Sequence, residues 1–276
     1  MRDWSITRSA SAFLVIIIAV IGVALYLGFR SYYTPSFQGR TVTVVTPTYS
    51  SPTATTPVST SSPPTTTSMQ QLTLSDVLSM PNLSETPSLG PANSSKVIVV
   101  VYDPECPYCA LELNATLPFL YYISVNTSQA RVVFLGLPIH EFSLQMLELL
   151  DAIYNVYGQK AFVEVLDENY AYLVYWIIQY EDGRTSQLVV PTNVTLIEMA
   201  DSLGYNVTQT QASSYGALVN ATQAFLLDHG ISATPALLAF NGQGRPVYVQ
   251  VGLVNPEYIV CNLTQRLSLS VPGVTC

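Results

Sequence analysis

Two cysteines separated by two residues form the part of the sequence best suited to covalent chemistry. Cys106-Pro107-Tyr108-Cys109 follows a β-branched run and stands where a helix is predicted to begin, with Pro107 suited to the first turn. In a helix, residues i and i+3 share a face, so the two thiols can approach closely enough to bond. Free backbone N–H groups and the helix dipole stabilise a thiolate in the first turn. This placement predicts Cys106 as an exposed, low-pKa nucleophile and Cys109 as the buried resolving thiol.

A single Cys-x-x-Cys motif is ambiguous by itself. It is also compatible with half of a zinc site, with a purely structural disulfide, or with chance. A structural zinc site needs a second Cys-x-x-Cys motif or a His pair at short range. Cys261 and Cys276 lie about 150 residues further on, and neither His140 nor His229 belongs to a ligand-spaced pair. We therefore predict no metal site.

The other two cysteines are candidates for a structural disulfide. Cys261 falls inside the last predicted helix, and Pro272-Gly273 can turn the following chain back toward that helix. An even number of cysteines in an oxidising compartment favours pairing over free thiols. A bridge that closes so short a loop would stabilise the fold by about 3 kcal/mol in the chain-entropy description. Two free thiols, or a bond from Cys276 to another chain, are the alternatives.

Hydrophobic periodicity predicts the elements that must position the first cysteine pair. Unbroken β-branched runs predict two buried parallel strands, and Asn241-Gly242 between short apolar runs predicts a β-hairpin. In order, we predict a strand at 96–102, a helix at 107–120 that Pro118 kinks or ends, a strand at 131–136, a helical insertion at about 141–229, hairpin strands at 236–240 and 247–251, and a helix at 256–267. This β-α-β-(helices)-β-β-α order predicts an α/β fold with a mixed sheet and helices on both faces.

Thr234-Pro235, directly before the first hairpin strand, completes a pattern that is distributed over the chain. The region from 96 to 267 resembles the DsbA-like thiol:disulfide oxidoreductases of the thioredoxin superfamily. The matching segments are Tyr102-Asp-Pro-Glu-Cys-Pro-Tyr-Cys-Ala110, Gly136-Leu-Pro-Ile-His140, Gly230-Ile-Ser-Ala-Thr-Pro235, and Gly252 before the final helix. The resemblance implies a thioredoxin fold with a helical insertion. It also implies that Pro235 is a cis proline facing the disulfide, where its backbone would pair with a substrate segment.

The motif departs from the family's oxidase pattern between the two cysteines. The family often has His at the position of Tyr108, and a neutral Tyr supplies no charge for the Cys106 thiolate. Asp103 and Glu105 would oppose that thiolate if they are ionised. These differences predict a weaker oxidant than the His-containing members and leave reductase and isomerase roles open. For an oxidase, the resemblance implies a membrane quinone-linked thiol oxidase as the partner.

Each histidine has a functional and an ordinary interpretation. His140 follows the second strand, whose C-terminal end should lie at the same sheet edge as Cys106. It could therefore exchange a proton with Cys109, or simply stand at the start of a helix. His229 precedes Gly230 at a predicted helix end, where a capping role is sufficient.

A charge-free run near the start of the sequence predicts a membrane anchor. Residues 10–29 are twenty residues without a charge and, at about 1.5 Å per residue, would span about 30 Å, the thickness of the hydrocarbon core. A cleaved signal peptide is the alternative, but the run is longer than usual and GFRSYYT lacks a small-x-small cleavage site. We therefore predict that residues 1–30 form a cytoplasmic tip and an uncleaved, single-pass transmembrane helix.

The segment after the anchor has the composition of an extended linker. Of the 30 residues from 41 to 70, 22 are Ser, Thr or Pro, too polar a composition to bury a core. We predict a disordered stalk or linker over 31–95, with or without O-linked sugars, and a folded domain over 96–276. Eight Asn-x-Ser/Thr sequons after the anchor favour a location outside the cytoplasm. They begin at Asn82, Asn93, Asn114, Asn126, Asn193, Asn206, Asn220 and Asn262.

Composition excludes several other classes of protein. The net charge is −8 and the two lysines are Lys96 and Lys160, so nucleic-acid binding is excluded. Hydrophobic residues make up 49% of the chain, too many for wholesale disorder. We predict a plasma-membrane-anchored, extracytoplasmic enzyme without a cofactor that exchanges the Cys106–Cys109 disulfide with thiols of secreted or surface polypeptides. A reductase or isomerase of the same fold, and a non-catalytic glycosylated surface binding protein, are the alternatives.

Overall fold

The computed structural model describes residues 72–182 and 189–276. The predicted anchor at 10–29 and the Ser/Thr/Pro-rich segment at 41–70 lie outside these residues. None of the helices in the described ranges is both long enough and apolar enough to cross a bilayer. The described elements are α1 (Leu74–Leu78), β1 (Ser88–Leu89), β2 (Val97–Tyr102), α2 (Pro107–Tyr121), β3 (Arg131–Gly136), α3 (Ser143–Tyr157), α4 (Gln159–Glu181), α5 (Asn193–Ser202), α6 (Gln209–Ala212), α7 (Gly216–Asp228), β4 (Ala236–Phe240), β5 (Pro246–Val251) and α8 (Pro256–Arg266).

The strands form one five-stranded sheet in the order β1-β3-β2-β4-β5. Strands β2 and β3 run parallel, and the pairs β1–β3, β2–β4 and β4–β5 are antiparallel. All six residues of β2 are buried, which explains why its sequence is an unbroken apolar run rather than an alternating one. The predicted mixed sheet is confirmed.

Helices cover both faces of the sheet, so β2 contributes to two separate cores. Ile98, Val100 and Tyr102 face a large core built with α2, α3, α4 and α8. The intervening valines of β2 face a smaller core that includes Val77 of α1 and Leu226 of α7. This division follows from the two-residue period of a strand, which sends alternate side chains to opposite faces.

The folded region begins earlier than the predicted boundary at residue 96. Strand β1 pairs with β3 through Ser88 opposite Val133 and Leu89 opposite Val132. Helix α1 begins with a capping box, in which the Thr73 hydroxyl accepts from the Asp76 N–H and the Asp76 carboxylate accepts from the Thr73 N–H. The linker predicted over 31–95 includes this segment and its few apolar residues. Those residues are nevertheless buried against the sheet: Leu72, Val77, Met80 and Leu89.

Pro118 does not end helix α2, which was one of the two outcomes predicted for it. The helix continues to Tyr121 and then into a single π-helical turn over Tyr122–Asn126. A proline removes one backbone hydrogen bond from a helix interior, which favours a kink or a break. Here the apolar face of α2 continues past the proline through the fully buried Leu117 and Leu120, so packing against the sheet maintains the helix.

The helical insertion lies between β3 and β4, as predicted, and its long helix α4 packs against the sheet. Phe162 of α4 contacts Phe134 of β3, with ring centroids 5.1 Å apart, and Tyr102 of β2, with centroids 6.3 Å apart. Both contacts are edge-to-face, the favourable arrangement for aromatic rings. The insertion is therefore in direct contact with the strand that leads to the cysteine pair.

The hairpin predicted at Asn241-Gly242 is present with a loop longer than two residues. Five residues, 241–245, separate β4 from β5. The Asn241 carboxamide oxygen accepts from the backbone N–H groups of Gln243 and Arg245, and Gly244 has a positive φ of 72°. Glycine adopts that conformation without steric cost, so Gly244 rather than Gly242 shapes the turn.

Candidate active site

The cysteine pair lies where strand β2 leads into helix α2. Cys106 is the N-cap residue of α2 and Pro107 is its first residue, as the sequence predicted. The Cys106 N–H donates to the Asp103 carbonyl at 3.1 Å, and the Ala110 N–H donates to the Cys106 carbonyl at 3.0 Å. The Cys106 sulfur therefore stands at the end of the helix that presents unpaired backbone N–H groups.

The two thiols are free, and their environments shift their pKa values in opposite directions. The pKa of Cys106 falls from 9.0 to about 6, chiefly because the Cys109 thiol donates a hydrogen bond to it. Contacts with Thr234 and with the N–H groups of Tyr108 and Cys109 contribute further, against the opposing effect of burial. Burial, followed by the hydrogen bond and charge of Cys106, raises the pKa of Cys109 well above its ordinary value. Cys106 is therefore the thiolate of the pair, and Cys109 holds the proton.

The structure corrects one part of the prediction, because Cys106 is not exposed. Only 3% of its surface is accessible, and Cys109 is completely buried. The segment before β4 covers the thiol, with the Thr234 carbonyl oxygen 3.8 Å from the Cys106 sulfur. Tyr108, between the cysteines, is 57% exposed, so it is the part of the motif that solvent reaches.

Thr234 and Pro235 lie beside the cysteine pair. The peptide bond between them is cis, in agreement with the resemblance. Thr234 is buried, and the Pro235 carbonyl accepts from the Gly252 N–H at 2.8 Å. This hydrogen bond connects the segment that precedes β4 to the residue that follows β5. The structure thus brings together all the residues that the sequence assigned to the redox site.

A buried carboxylate joins the cysteine loop to the loop after β3. Asp103 is completely buried, and its Oδ1 accepts from the Glu105 N–H at 2.8 Å and from the Ser143 hydroxyl at 2.7 Å. Its Oδ2 accepts from the Ile139 N–H at 3.1 Å and lies 2.8 Å from His140 Nδ1. The sequence placed His140 at the same sheet edge as Cys106 but did not predict its contact with Asp103. The contact could have been predicted, because Asp103 and His140 each follow the C-terminal end of one of two parallel strands.

The sequence predicted that Asp103 and Glu105 would oppose the thiolate if ionised, but the pKa of Cys106 is nevertheless lowered to about 6. Glu105 points toward the insertion, where it accepts from the Phe142 N–H at 2.6 Å and from the Ser143 hydroxyl at 3.0 Å. Burial raises the pKa of Glu105, and its hydrogen bonds with Phe142 and Ser143 partly oppose that shift. Both carboxyl groups are therefore engaged in hydrogen bonds that hold the loop.

Helix α4 supplies two further contacts that the sequence did not indicate. The Tyr170 hydroxyl donates to the Asp103 carbonyl at 3.1 Å, and the Asn169 side chain donates to the Pro104 carbonyl at 2.8 Å. Both side chains are completely buried. The insertion thus fixes the backbone directly before Cys106, from a part of the chain more than 60 residues away.

A second buried carboxyl group lies on the inward face of α2. Glu112, one turn after Cys109, is 1% exposed, and its Oε2 accepts from the Gln250 side chain at 2.6 Å and from the Val254 N–H at 3.0 Å. Burial is the main cause that raises the pKa of Glu112 to about 7. Glu112 was not among the predicted site residues, although its spacing of three from Cys109 places both on one helix face.

The remaining predicted residues lie apart from this site. Cys261 of α8 and Cys276 form a disulfide with a Cα–Cα distance of 5.4 Å. His229 caps α7, with Nδ1 2.8 Å from the Phe225 carbonyl, and Nε2 is 3.8 Å from the Asp76 carboxylate. Within residues 72–182 and 189–276, no three His, Cys, Asp or Glu side chains are grouped so that they could hold a metal ion.

Neither a family model nor a curated protein sequence matches the chain. Solved structures do match, among them α-DsbA1 from Wolbachia pipientis, with a TM-score of 0.53, 16% identity, and coverage of 70% of this chain and 94% of that one. A periplasmic thioredoxin-like protein from Salmonella enterica serovar Typhimurium has a TM-score of 0.51, 16% identity, and coverage of 72% and 99%. The thiol-disulfide exchange protein α-DsbA2 from Wolbachia pipientis has a TM-score of 0.50, 15% identity, and coverage of 69% and 89%.

At these identities the similarity establishes the fold. The chain contains a thioredoxin-like domain with a helical insertion between the parallel strand pair and the antiparallel hairpin. The α/β fold class that the sequence predicted is confirmed.

Proposed function

We propose that this protein is a thiol:disulfide oxidoreductase with Cys106 and Cys109 as its redox centre. The observation that carries the proposal is the division of roles between the two thiols at the start of α2. The pKa of Cys106 is lowered to about 6, whereas that of Cys109 is raised. Near neutral pH, one sulfur is then a ready nucleophile and good leaving group, and the other retains its proton.

The proposed reaction begins from the oxidised pair. A substrate thiolate attacks the Cys106 sulfur, the Cys106–Cys109 bond breaks, and Cys109 leaves with the electron pair and takes up a proton. A second substrate thiolate then attacks the substrate sulfur of the mixed disulfide, and Cys106 leaves as a thiolate. The substrate is oxidised by two electrons to a disulfide, and the pair is reduced to the dithiol form that the structure describes.

The residues around the pair have assigned roles in this proposal. Thr234 and Pro235, which lie against the Cys106 sulfur, bind the substrate segment through their backbone. Pro107 begins the helix, and the exposed Tyr108 contacts the substrate. No cofactor takes part, because the electrons move only between sulfur atoms.

The direction of exchange follows from the stability of the reduced form. A thiolate stabilised at Cys106 favours the reduced pair, so the protein acts as an oxidant toward substrates, the thiols of secreted or surface polypeptides. The resemblance supports a membrane quinone-linked thiol oxidase as the partner that reoxidises the pair. A reductase role would require a strongly negative reduction potential, so equilibration with glutathione decides between oxidant and reductant. An isomerase role would not require one and is tested with a substrate whose disulfides are mispaired.

The proposed location is the outer side of the plasma membrane. The charge-free run at 10–29 supports a single-pass anchor, and the Ser/Thr/Pro-rich segment at 41–70 supports a stalk that separates the domain from the bilayer. The eight sequons support an extracytoplasmic domain, a compartment in which disulfide exchange occurs.

The pH dependence of alkylation tests the proposed centre. In the reduced protein, Cys106 should react with iodoacetamide at a rate that rises through a pKa of about 6, as read from the mass of its peptide. A Cys261→Ser/Cys276→Ser variant is the control and should give the same profile. A Cys106 thiol that remains unreactive until about pH 9 would contradict the proposal and would favour a non-catalytic binding protein.

A further inference from the structure

We propose that protonated His140, held by Asp103 at the sheet edge where Cys106 stands, stabilises the Cys106 thiolate in the place of a charged residue between the two cysteines. The inference rests on the proposed function and names a positioning residue for it. Tyr108 occupies the position between the cysteines and is neutral and exposed, so the motif itself brings no cation to the thiolate.

The fold places His140 at the site although 34 residues separate it from Cys106 in the sequence. Strands β2 and β3 run parallel, so their C-terminal ends lie at the same sheet edge. Cys106 follows β2 after the loop 103–105, and His140 follows β3 after a loop of three residues. The Asp103 carboxylate connects the two loops through the Ile139 N–H and the His140 ring.

Asp103 also fixes how the imidazole ring is used. Nδ1 of His140 lies 2.8 Å from Oδ2 of the completely buried Asp103, which defines Nδ1 as the proton-bearing nitrogen. Nε2 is then the nitrogen that takes up or releases a second proton. The side chain is 38% exposed, so this proton can be exchanged with solvent.

Three ionisable groups near His140, together with its burial, determine the direction in which its pKa shifts. Burial lowers the pKa of His140, but the hydrogen bond and charge of Asp103 and the charges of Cys106 and Glu105 outweigh it and raise the pKa above 6.5. Asp103 and Glu105 belong to the loop after β2, and Cys106 begins α2. By thermodynamic reciprocity, a thiolate that favours protonated His140 is itself favoured by protonated His140.

This arrangement makes His140 a determinant of the redox balance. While His140 is protonated, the thiolate of the reduced pair is stabilised and the protein is the stronger oxidant. As pH rises through the raised pKa of His140, the positive charge is lost and the reduction potential falls. Below neutral pH, where His140 is protonated, the protein should therefore be a stronger oxidant than the Cys106–Cys109 motif would be without His140.

The test compares His140→Gln with His229→Gln in the full chain, kept in a mild detergent. Glutamine can retain the hydrogen bond to Asp103 but carries no charge, and His229 caps α7 away from the site. In His140→Gln, alkylation of Cys106 at a pH near 6 should slow roughly threefold, because the pKa of its thiol rises. The reduction potential against glutathione should become more negative. His229→Gln should match the parent in both.

A measurement that leaves His140 in place addresses the case in which His140→Gln does not fold. His229→Gln retains His140 as the sole histidine of the chain, so its ring resonances can be followed by NMR without ambiguity. The pKa of His140 should be higher in the reduced protein than in the oxidised protein, because only the reduced form carries the thiolate. Equal values in the two redox states would overturn the inference.

The failures of the two proposals are distinguishable. If the parent protein has a low-pKa Cys106 and His140→Gln changes neither the alkylation profile nor the potential, the inference is wrong and the proposed function stands. A lower melting temperature in His140→Gln with an unchanged thiol pKa would likewise assign His140 a purely structural role. If the parent protein itself lacks a low-pKa thiol, both proposals are wrong.

Discussion

The Cys106 sulfur lies 3.8 Å from the carbonyl oxygen of Thr234, although the two residues are 128 positions apart in the sequence. Antiparallel pairing of β2 with β4 produces this contact, because it brings the start of β4 to the end of β2 where the cysteine loop begins. The thiol is therefore covered by the backbone that we propose as the substrate-binding segment. A substrate must meet the sulfur and this segment together, which couples binding to exchange.

The first prediction concerns the division of roles between the cysteines. Cys106→Ser should abolish exchange with a dithiol peptide, because the attacked sulfur is gone. Mixed with a disulfide-bonded peptide, reduced Cys109→Ser should accumulate a mixed disulfide: the Cys106 thiolate attacks the peptide disulfide, one peptide sulfur leaves as a thiolate, and no Cys109 thiol remains to release the peptide. Non-reducing electrophoresis and mass spectrometry measure both outcomes. Normal turnover by either variant would contradict the assigned chemistry.

A second prediction concerns Glu112, whose pKa is raised from 4.5 to about 7 by burial. Between these values the unfolded chain has lost the proton while the folded protein keeps it, so folding stability falls as pH rises through this window. Glu112→Gln should make the free energy of unfolding less dependent on pH from about 4.5 to 7. Urea unfolding of the oxidised protein, in which Cys106 does not titrate, measures this slope.

The exposed Glu198 of α5 provides the matched control for Glu112. Glu198→Gln should leave the pH dependence as it is in the parent protein. If both variants reduced the pH dependence of the free energy of unfolding equally, the change in net charge, rather than the burial of Glu112, would be responsible.

A third prediction tests the contact between the insertion and the cysteine loop. Tyr170→Phe removes a buried hydroxyl that donates to the Asp103 carbonyl, and it should lower the free energy of unfolding by about 1 kcal/mol. Tyr180→Phe, at a residue that is 62% exposed on the same helix, should cost much less. Guanidinium unfolding measures both, and equal effects would remove the special role of Tyr170.

A fourth prediction concerns the disulfide between Cys261 and Cys276, which closes a sequence separation of 15. Replacing both residues by Ser should lower the free energy of unfolding by about 3 kcal/mol in the chain-entropy description. Thiol exchange at Cys106 should be unaffected, since the bridge lies apart from the site. Peptide mapping after mild reduction should find this bridge intact and the active pair open. Free thiols at both positions in protein from its native compartment would contradict the prediction.

The fifth prediction is the topology. Protease added to intact cells should release a soluble fragment by cutting within 41–70, because we propose this Ser/Thr/Pro-rich segment as an accessible stalk. The fragment should carry the Cys106–Cys109 pair. Full protection of the domain would reverse the orientation and would remove the argument from an oxidising compartment.

The Cys106-Pro107-Tyr108-Cys109 motif, the order of the elements from β2 to α8 and the mixed character of the sheet could be predicted from the sequence. These features are local: a β-branched run, the helix-start chemistry of Cys106-Pro107, and an Asn-Gly turn signal each depend on neighbouring residues. Their order along the chain then leaves few topologies for a single sheet. The resemblance added the cis peptide at Pro235, which the structure contains.

The groups that surround the two thiols could be identified only from the folded structure. The burial of Cys106, the carboxylate network of Asp103 with His140, and the support from Tyr170 depend on residues brought together from separate loops and helices. Such contacts depend on the detailed packing of elements, which hydrophobic periodicity does not specify. The start of the domain was missed for the same reason. Strand β1 has two residues, and pairing with β3, rather than its own pattern, makes it a strand.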